Sequence, residues 1–226
     1  MTIINHLAII MDGNGRWGLK KFNNRSLGHF YGAKRLKPLV NFLINQKIKN
    51  LTLYTLSYDN LRKRKKKEII NLFDMLTKYL QENINYFVKN KIKINFIGEK
   101  ERLPRNIIKL ISHVQKKTNF NKKVLNVNIA FNYSSKKEII NTINKLINKR
   151  KKVSNKNINN NLYTSNSGDP DILIRTGGYN RLSDFLLWQS AYTELFFLKT
   201  LWPDFKIKHL KNIFYKYNFI KKNYGS

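Results

Sequence analysis

The sequence predicts a single-domain α/β fold, a central and mostly parallel sheet flanked by helices, and three observations carry that prediction. Apolar runs of strand length alternate with longer stretches of helical periodicity. Several runs are apolar at consecutive positions, as in strands covered on both faces. The chain has 226 residues, of which 42% are hydrophobic and 13% aromatic, enough for one core without staples.

The elements follow in order. A strand is expected at 7–11, a helix at 29–46, a strand at 51–56 and a helix at 67–88. A strand at 92–97 precedes a helix at 104–117, with Pro104 in its first turn. A strand at 124–131 and a helix at 136–149 come next. Residues 151–168, rich in Lys, Asn and Ser, read as a flexible loop that does not divide the domain. Short strands at 172–174 and 195–198 and a helix at 206–217 complete the chain.

Charge is the most unusual property. Forty-four basic against 13 acidic residues give +31 and an isoelectric point near 10.3. Clustered basic residues suit phosphate polymers and acidic lipids. Here, however, 34 Lys and 10 Arg are strewn along the chain beside 32 Asn, the residue usage of an AT-rich coding sequence. Absence of Cys excludes disulfides, thiolate metal sites and a cysteine nucleophile. No run approaches the roughly 18 apolar residues of a membrane span, and no basic flank leads a long apolar run at the start, so a cytoplasmic protein is expected.

The chemistry-bearing residues gather at predicted strand ends. After the first strand comes Asp12-Gly13-Asn14-Gly15-Arg16-Trp17. Its glycines allow a sharp turn and close approach to a ligand, its amides and Arg16 suit a phosphate, and Asp12 suits a hard cation held between phosphate oxygens. The spacing matches neither a Walker loop nor a dinucleotide fingerprint. Arg25 to His29 opens a helix, whose free amides favour anions. The second strand ends in Ser57-Tyr58-Asp59-Asn60-Leu61, which alone reads as a capped loop. The fifth ends in Arg175 and continues through Gly177 and Gly178 to Arg181, Leu182 and Ser183, a second place suited to a phosphate.

The segments His6 to Trp17, Arg25 to His29 and Ile174 to Phe185, with Glu194 through Trp202-Pro203-Asp204 following in consistent order and spacing, resemble the cis-prenyltransferases. The resemblance implies a homodimeric, Mg²⁺-dependent enzyme that condenses isopentenyl diphosphate repeatedly onto an allylic diphosphate, usually farnesyl diphosphate, and houses the growing chain in a hydrophobic tunnel. It implies that Asp12 binds Mg²⁺ and assists departure of the allylic diphosphate, that Glu194 completes the metal site, and that Gly13, Asn14, Gly15, Arg16, Arg25 and His29 cradle that diphosphate, with Trp17 beside them. Arg175, Arg181 and Ser183, with Leu182, would hold isopentenyl diphosphate. Asn60 and Ser57, with Tyr58, Asp59 and Leu61, fall in the loop that the family associates with proton removal. The apolar face 69–87 is a candidate tunnel wall. The aspartate-rich box of the trans enzymes is absent.

Two positions depart from the family pattern: Leu61 replaces a Trp, and Asn180 replaces a His common in bacterial members. The loop arginine corresponds to Arg62, Lys63 or Arg64, and spacing to Glu68 favours Arg64. The product expected is a long polyprenyl diphosphate, the undecaprenyl carrier of cell-wall synthesis. Peripheral membrane contact through the lysine excess is expected and a nucleic-acid partner is not; the rival reading is a basic nucleic-acid or anionic-surface binding protein on an ancestral enzyme fold.

Overall fold

A computed structural model describes residues 4–220. Six strands, β1 (His6–Ile10), β2 (Asn50–Ser57), β3 (Ile92–Ile97), β4 (Leu125–Tyr133), β5 (Ile172–Arg175) and β6 (Glu194–Phe197), form one sheet in the order β3-β4-β2-β1-β5-β6. Every neighbouring pair is parallel. The expected α/β class therefore holds. The order reverses at β1, with β2 on one side and β5 on the other, and in open α/β sheets the crevice beyond such strand ends receives ligands.

β1 shows why its sequence must be a central strand. Leu7 and Ile9 enter a core built with α3 (Leu36–Asn45), α5 (Lys66–Lys89), α6 (Arg105–Lys117) and α9 (Ile207–Tyr217), whereas Ala8 and Ile10 face Tyr133 and Phe185 on the other side. The period of two thus buries both faces.

The helices between β1 and β2 differ from expectation. The segment read as a tight turn carries α1 (Asn14–Phe22), followed by α2 (Arg25–Ala33). The helix expected at 29–46 is broken at Lys34 and Arg35 into α2 and α3. Pro38 explains the break: it lacks the N–H that a continuous helix would direct to the Lys34 carbonyl. Asn23, in the left-handed region at φ 49°, ends α1, and the Asn24 side chain accepts from the amides of Ser26 and Leu27 to start α2. The two helices meet through Gly18 and Gly28; a Cβ on Gly28 would strike the Asn14 carbonyl oxygen, and one on Gly18 the Asn24 carbonyl oxygen. Gly28→Ala is expected to destabilise the fold by about 3 kcal/mol through overpacking, read as a lower urea midpoint at unchanged slope.

Residues 151–168 do not form the expected flexible loop. They contain α8 (Asn155–Asn159), capped by Ser154, and bury Ile158 and Leu162 against Leu146 of α7 (Ser135–Asn148). The sparse apolar residues fall where they meet α7, and Ser167 satisfies a polar patch of the sheet by accepting from Asn126 and Asn128 at 2.9 Å each.

His6 belongs to that patch. Its Nδ1 lies 2.9 Å from the Gly168 carbonyl, which can only accept, so Nε2 accepts from the Thr52 hydroxyl at 2.7 Å. Burial lowers its pKa to about 4, against weaker opposing effects of Gly168 and Asp171. The unfolded chain therefore binds a proton that the folded chain refuses between pH 6.5 and 4. The sign follows: stability is complete above about pH 6.5 and falls by about 3 kcal/mol on acidification to pH 4. Urea midpoints of wild type and His6→Gln should converge as pH falls from 7 to 4.5; parallel curves would contradict this.

Candidate active site

The carboxyl ends of β1, β2 and β5 deliver the site. Asp12 follows β1, its carbonyl oxygen held by the Trp202 amide at 3.0 Å and the Thr176 hydroxyl at 2.8 Å. Gly13 turns the chain at φ 104°, with no room for a Cβ beside Leu201. Arg175, only 4% exposed, ends β5 and organises its surroundings: Nη2 donates to Asp12 Oδ2 at 2.9 Å, and Nη1 donates to Ser183 Oγ at 2.7 Å and to the Arg181 carbonyl. One guanidinium fork thereby ties the two phosphate-suited turns together. Arg16 adds a bond to the Gly177 carbonyl at 2.7 Å and lies 3.4 Å from Asp12.

These groups open into a cavity of about 730 Å³, whose lining includes Asp12, Asn14, His29, Ser57, Tyr58, Asp59, Asn60, Arg64, Arg175, Arg181 and Ser183. The cavity runs from this polar mouth to Leu36, Leu56, Leu72, Met75, Leu76 and Phe131. It abuts an open groove between α2 and α5, sharing His29, Ala33, Leu72, Met75 and Tyr79 with it. His29 is kept neutral at ordinary pH: burial first, then Arg64 and Arg25, lower its pKa to about 4, and its Nε2 is buried without a hydrogen-bond partner. Asn14 Oδ1 is likewise unpartnered. A neutral imidazole beside two guanidinium groups is a site prepared for an anion, which would supply the missing acceptor and favour protonation.

The loop after β2 forms a short helix, α4 (Tyr58–Lys63), because Ser57 Oγ accepts from the Asn60 amide at 3.0 Å. Of the three candidate basic residues, Arg64 lines the cavity and pairs with Glu68 at 2.9 Å. Arg62 donates to the Tyr58 carbonyl and Asn132, and Lys63 pairs with exposed Asp59 at 3.0 Å. The Tyr58 ring is held between Arg62 and Lys137.

Other expected residues stand outside the cavity lining, with Arg25 beside His29. Arg25 covers Gly15, where a Cβ would meet its guanidinium, and reaches Glu68 at 3.9 Å. Trp17 packs on Phe22 and Tyr31, Leu61 on the main core, and Leu182 on the core around Phe185, so all three support the fold behind the cavity. Glu194 does not join Asp12. Strand polarity is the reason: Glu194 pairs with Ile172 at the amino end of β5 and β6, whereas Arg175 pairs with Phe197 at the other end, about 10 Å along the strand. Within one chain these carboxylates cannot share an ion. Among the described residues no three His, Asp or Glu side chains gather as a metal cage. Asp12 beside guanidinium groups instead fits a magnesium ion shared with a bound phosphate group, since Mg²⁺ is commonly held by one or two carboxylates plus substrate phosphates.

Sequence reasoning missed Tyr179. Its ring collects Arg181, Arg16 and Arg175 at 4.2, 4.8 and 5.5 Å from the centroid. Its place between two glycine-rich arginine turns was the available signal. Tyr179→Ala is expected to weaken binding of inorganic pyrophosphate about fivefold by releasing those side chains, measured by calorimetric titration.

The fold and site thus define an α/β protein with an anion cradle at its strand ends and an apolar cavity leading from it. The family model described as "Putative undecaprenyl diphosphate synthase" matches residues 10–225. The isoprenyl transferase of Fusobacterium nucleatum is 38% identical over 99% of this chain and 96% of its own length, and that of Helicobacter pylori strain 26695 is 42% identical over 94% of each. A crystal structure titled as "a probable undecaprenyl diphosphate synthase" from Campylobacter jejuni superposes with a TM-score of 0.86 at 30% identity, covering both chains completely. Lavandulyl diphosphate synthase from Lavandula x intermedia, solved with dimethylallyl diphosphate, gives a TM-score of 0.92 at 28% identity over 99% of this chain and 98% of its own. The chain belongs to this prenyltransferase family.

Proposed function

We propose that the protein condenses isopentenyl diphosphate onto an allylic diphosphate, farnesyl diphosphate in the first cycle, and repeats the step to make a long polyprenyl diphosphate, the undecaprenyl carrier used in cell-wall synthesis. The observation that carries this reading is the Asp12–Arg175–Ser183 linkage at the mouth of an apolar cavity. Two turns suited to anions lie side by side there, and the cavity behind them has the apolar lining that a hydrocarbon chain needs.

In each cycle the allylic C–O bond breaks, a C–C bond forms to the isopentenyl unit, that unit loses a proton, and diphosphate departs. Arg25, His29 and Arg64 bind the allylic diphosphate and stabilise the charge growing on it, and Arg175, Arg181 and Ser183 orient the second substrate. Magnesium, held through Asp12 and the diphosphate, supplies further charge neutralisation when bound. Asn60 is an amide and therefore a poor base; it orients a diphosphate or passes the proton on. Leu56, Leu72, Met75 and Phe131 exclude water from the allylic cation and receive the growing chain. We assign a homodimer acting in the cytoplasm with peripheral membrane contact; no helix among the described residues is long and apolar enough to cross a membrane.

Calorimetric titration with farnesyl thiodiphosphate, an unreactive allylic diphosphate, tests the reading. Binding strengthened by Mg²⁺ and weakened by Arg64→Met is expected, and absence of binding in either condition would overturn it.

A further inference from the structure

We propose that the outer face of α1 and α2 is a docking surface for an anionic phospholipid bilayer, with the open groove between α2 and α5 turned toward the lipid. This deepens the elongation reading and rests on it for its purpose, since a long prenyl product must pass into a membrane.

Four large apolar side chains lie in water on this face: Leu19 and Phe22 of α1 are 43% and 45% exposed, and Leu27 and Phe30 of α2 are 37% and 42% exposed. Three-residue spacing puts Leu19 beside Phe22 on α1 and Leu27 beside Phe30 on α2, and Tyr31 joins the two pairs into one patch. Phe22 stacks on Tyr31 at 5.3 Å, and Tyr31 meets the edge of Phe30 at 5.7 Å. Basic groups rim it: Lys20 and Lys21 occupy the last turn of α1, and Lys34 Nζ sits 4.5 Å above the Phe30 ring. The sequence from residue 13 to residue 58 contains nine Lys and Arg and no Asp or Glu. Exposed Leu and Phe beside lysines, with no acidic residue between them, is the pattern of surfaces that seat in the headgroup region of anionic lipid.

Three further points select the bilayer over other occupants. A second copy of this chain would set the acid-free faces of α1 and α2 against each other, the acidic groups of the groove, Glu68, Asp74 and Glu82, being confined to its α5 wall. A nucleic acid would satisfy the lysines and leave the leucines in water. The patch also runs into the groove, since Leu27, Phe30 and Lys34 line both, and the groove shares Leu72, Met75 and Tyr79 with the cavity behind Asp12. Lipid contact there gives a hydrocarbon chain a path from cavity to bilayer that avoids water.

The test is co-sedimentation of the full chain with large vesicles of phosphatidylcholine containing phosphatidylglycerol, and with phosphatidylcholine alone, near physiological ionic strength. Wild type is expected on the anionic vesicles. Leu19→Ser with Phe22→Ser should weaken that binding about tenfold. Because Phe22 also packs on Trp17, the pair Lys20→Gln and Lys21→Gln, which alters exposed side chains alone, supplies a second arm and should weaken it about tenfold as well. The control pair Lys116→Gln and Lys117→Gln on α6 should bind as wild type. Equal losses in the control would show that diffuse charge and not the patch binds lipid, and equal binding by all variants, or by both vesicle types, would likewise overturn the proposal. Turnover in detergent is measured on the same samples. Protein that binds vesicles through the patch yet elongates nothing upholds the surface and removes the enzymatic reading; protein that elongates yet ignores anionic vesicles does the reverse.

Discussion

Asp12→Ala is expected to reduce turnover between one hundredfold and one thousandfold, on the order of the loss when one preorganised electrostatic contact is removed from a reacting centre. Asp12 contributes the negative charge at the meeting point of Arg16 and Arg175, and in the proposed reaction it is the group that would recruit a metal-bound diphosphate into a cationic cradle. The same substitution acts on stability. Arg175 is buried and loses its carboxylate partner, which should lower the urea midpoint. Asp12→Asn separates the two effects: its amide oxygen still accepts from Arg175, so stability should recover while turnover does not. Steady-state rates across a magnesium series, with urea melts of both variants, check this. A near-normal rate for Asp12→Ala would refute the role.

Arg175→Met should be costly in both respects. The Met side chain keeps much of the volume and removes the bonds to Asp12, Ser183 and the Arg181 carbonyl together. Breaking a buried pair from one side costs about 3 kcal/mol or more. Those bonds also hold a segment with left-handed backbone, Ser183 at φ 52°, Asp184 at 63° and Leu186 at 47°, conformations that non-glycine residues keep only when their surroundings enforce them. Asp184 shares that load, its carboxylate accepting from the Lys136 amide at 3.0 Å at the start of α7. The variant should raise the KM for isopentenyl diphosphate at least about tenfold, and more than that for the allylic substrate, because Arg25, His29 and Arg64 stand on α2 and beside α5. Equal rises in both would contradict the division of labour.

Much of this architecture is legible in the sequence because strand ends are where apolar runs stop and polar clusters begin. Asp12, Ser57 and Arg175 each follow such a run, and the parallel sheet brings those ends to one edge. Glu194 shows where that logic fails: it stands at the beginning of its run, so the same polarity carries it away from Asp12. The break between α2 and α3 turns on one missing N–H at Pro38, a local effect inside a long apolar pattern. Residues 151–168 look structureless because their order comes from partners distant in sequence, Leu146 and the asparagines of β4. The clustering of three guanidinium groups around Tyr179 depends on side-chain directions that spacing does not encode.

The +31 charge separates in the same way. A few arginines at strand ends face the cavity, whereas Lys20, Lys21 and Lys34 of the acid-free stretch from residue 13 to residue 58 lie on α1 and at the end of α2. Incubation of the purified protein with Mg²⁺, farnesyl diphosphate and labelled isopentenyl diphosphate tests the central claim most directly. A ladder of extractable products ending in a long polyprenyl diphosphate is the predicted result, and no product longer than the primer at any enzyme concentration would contradict it.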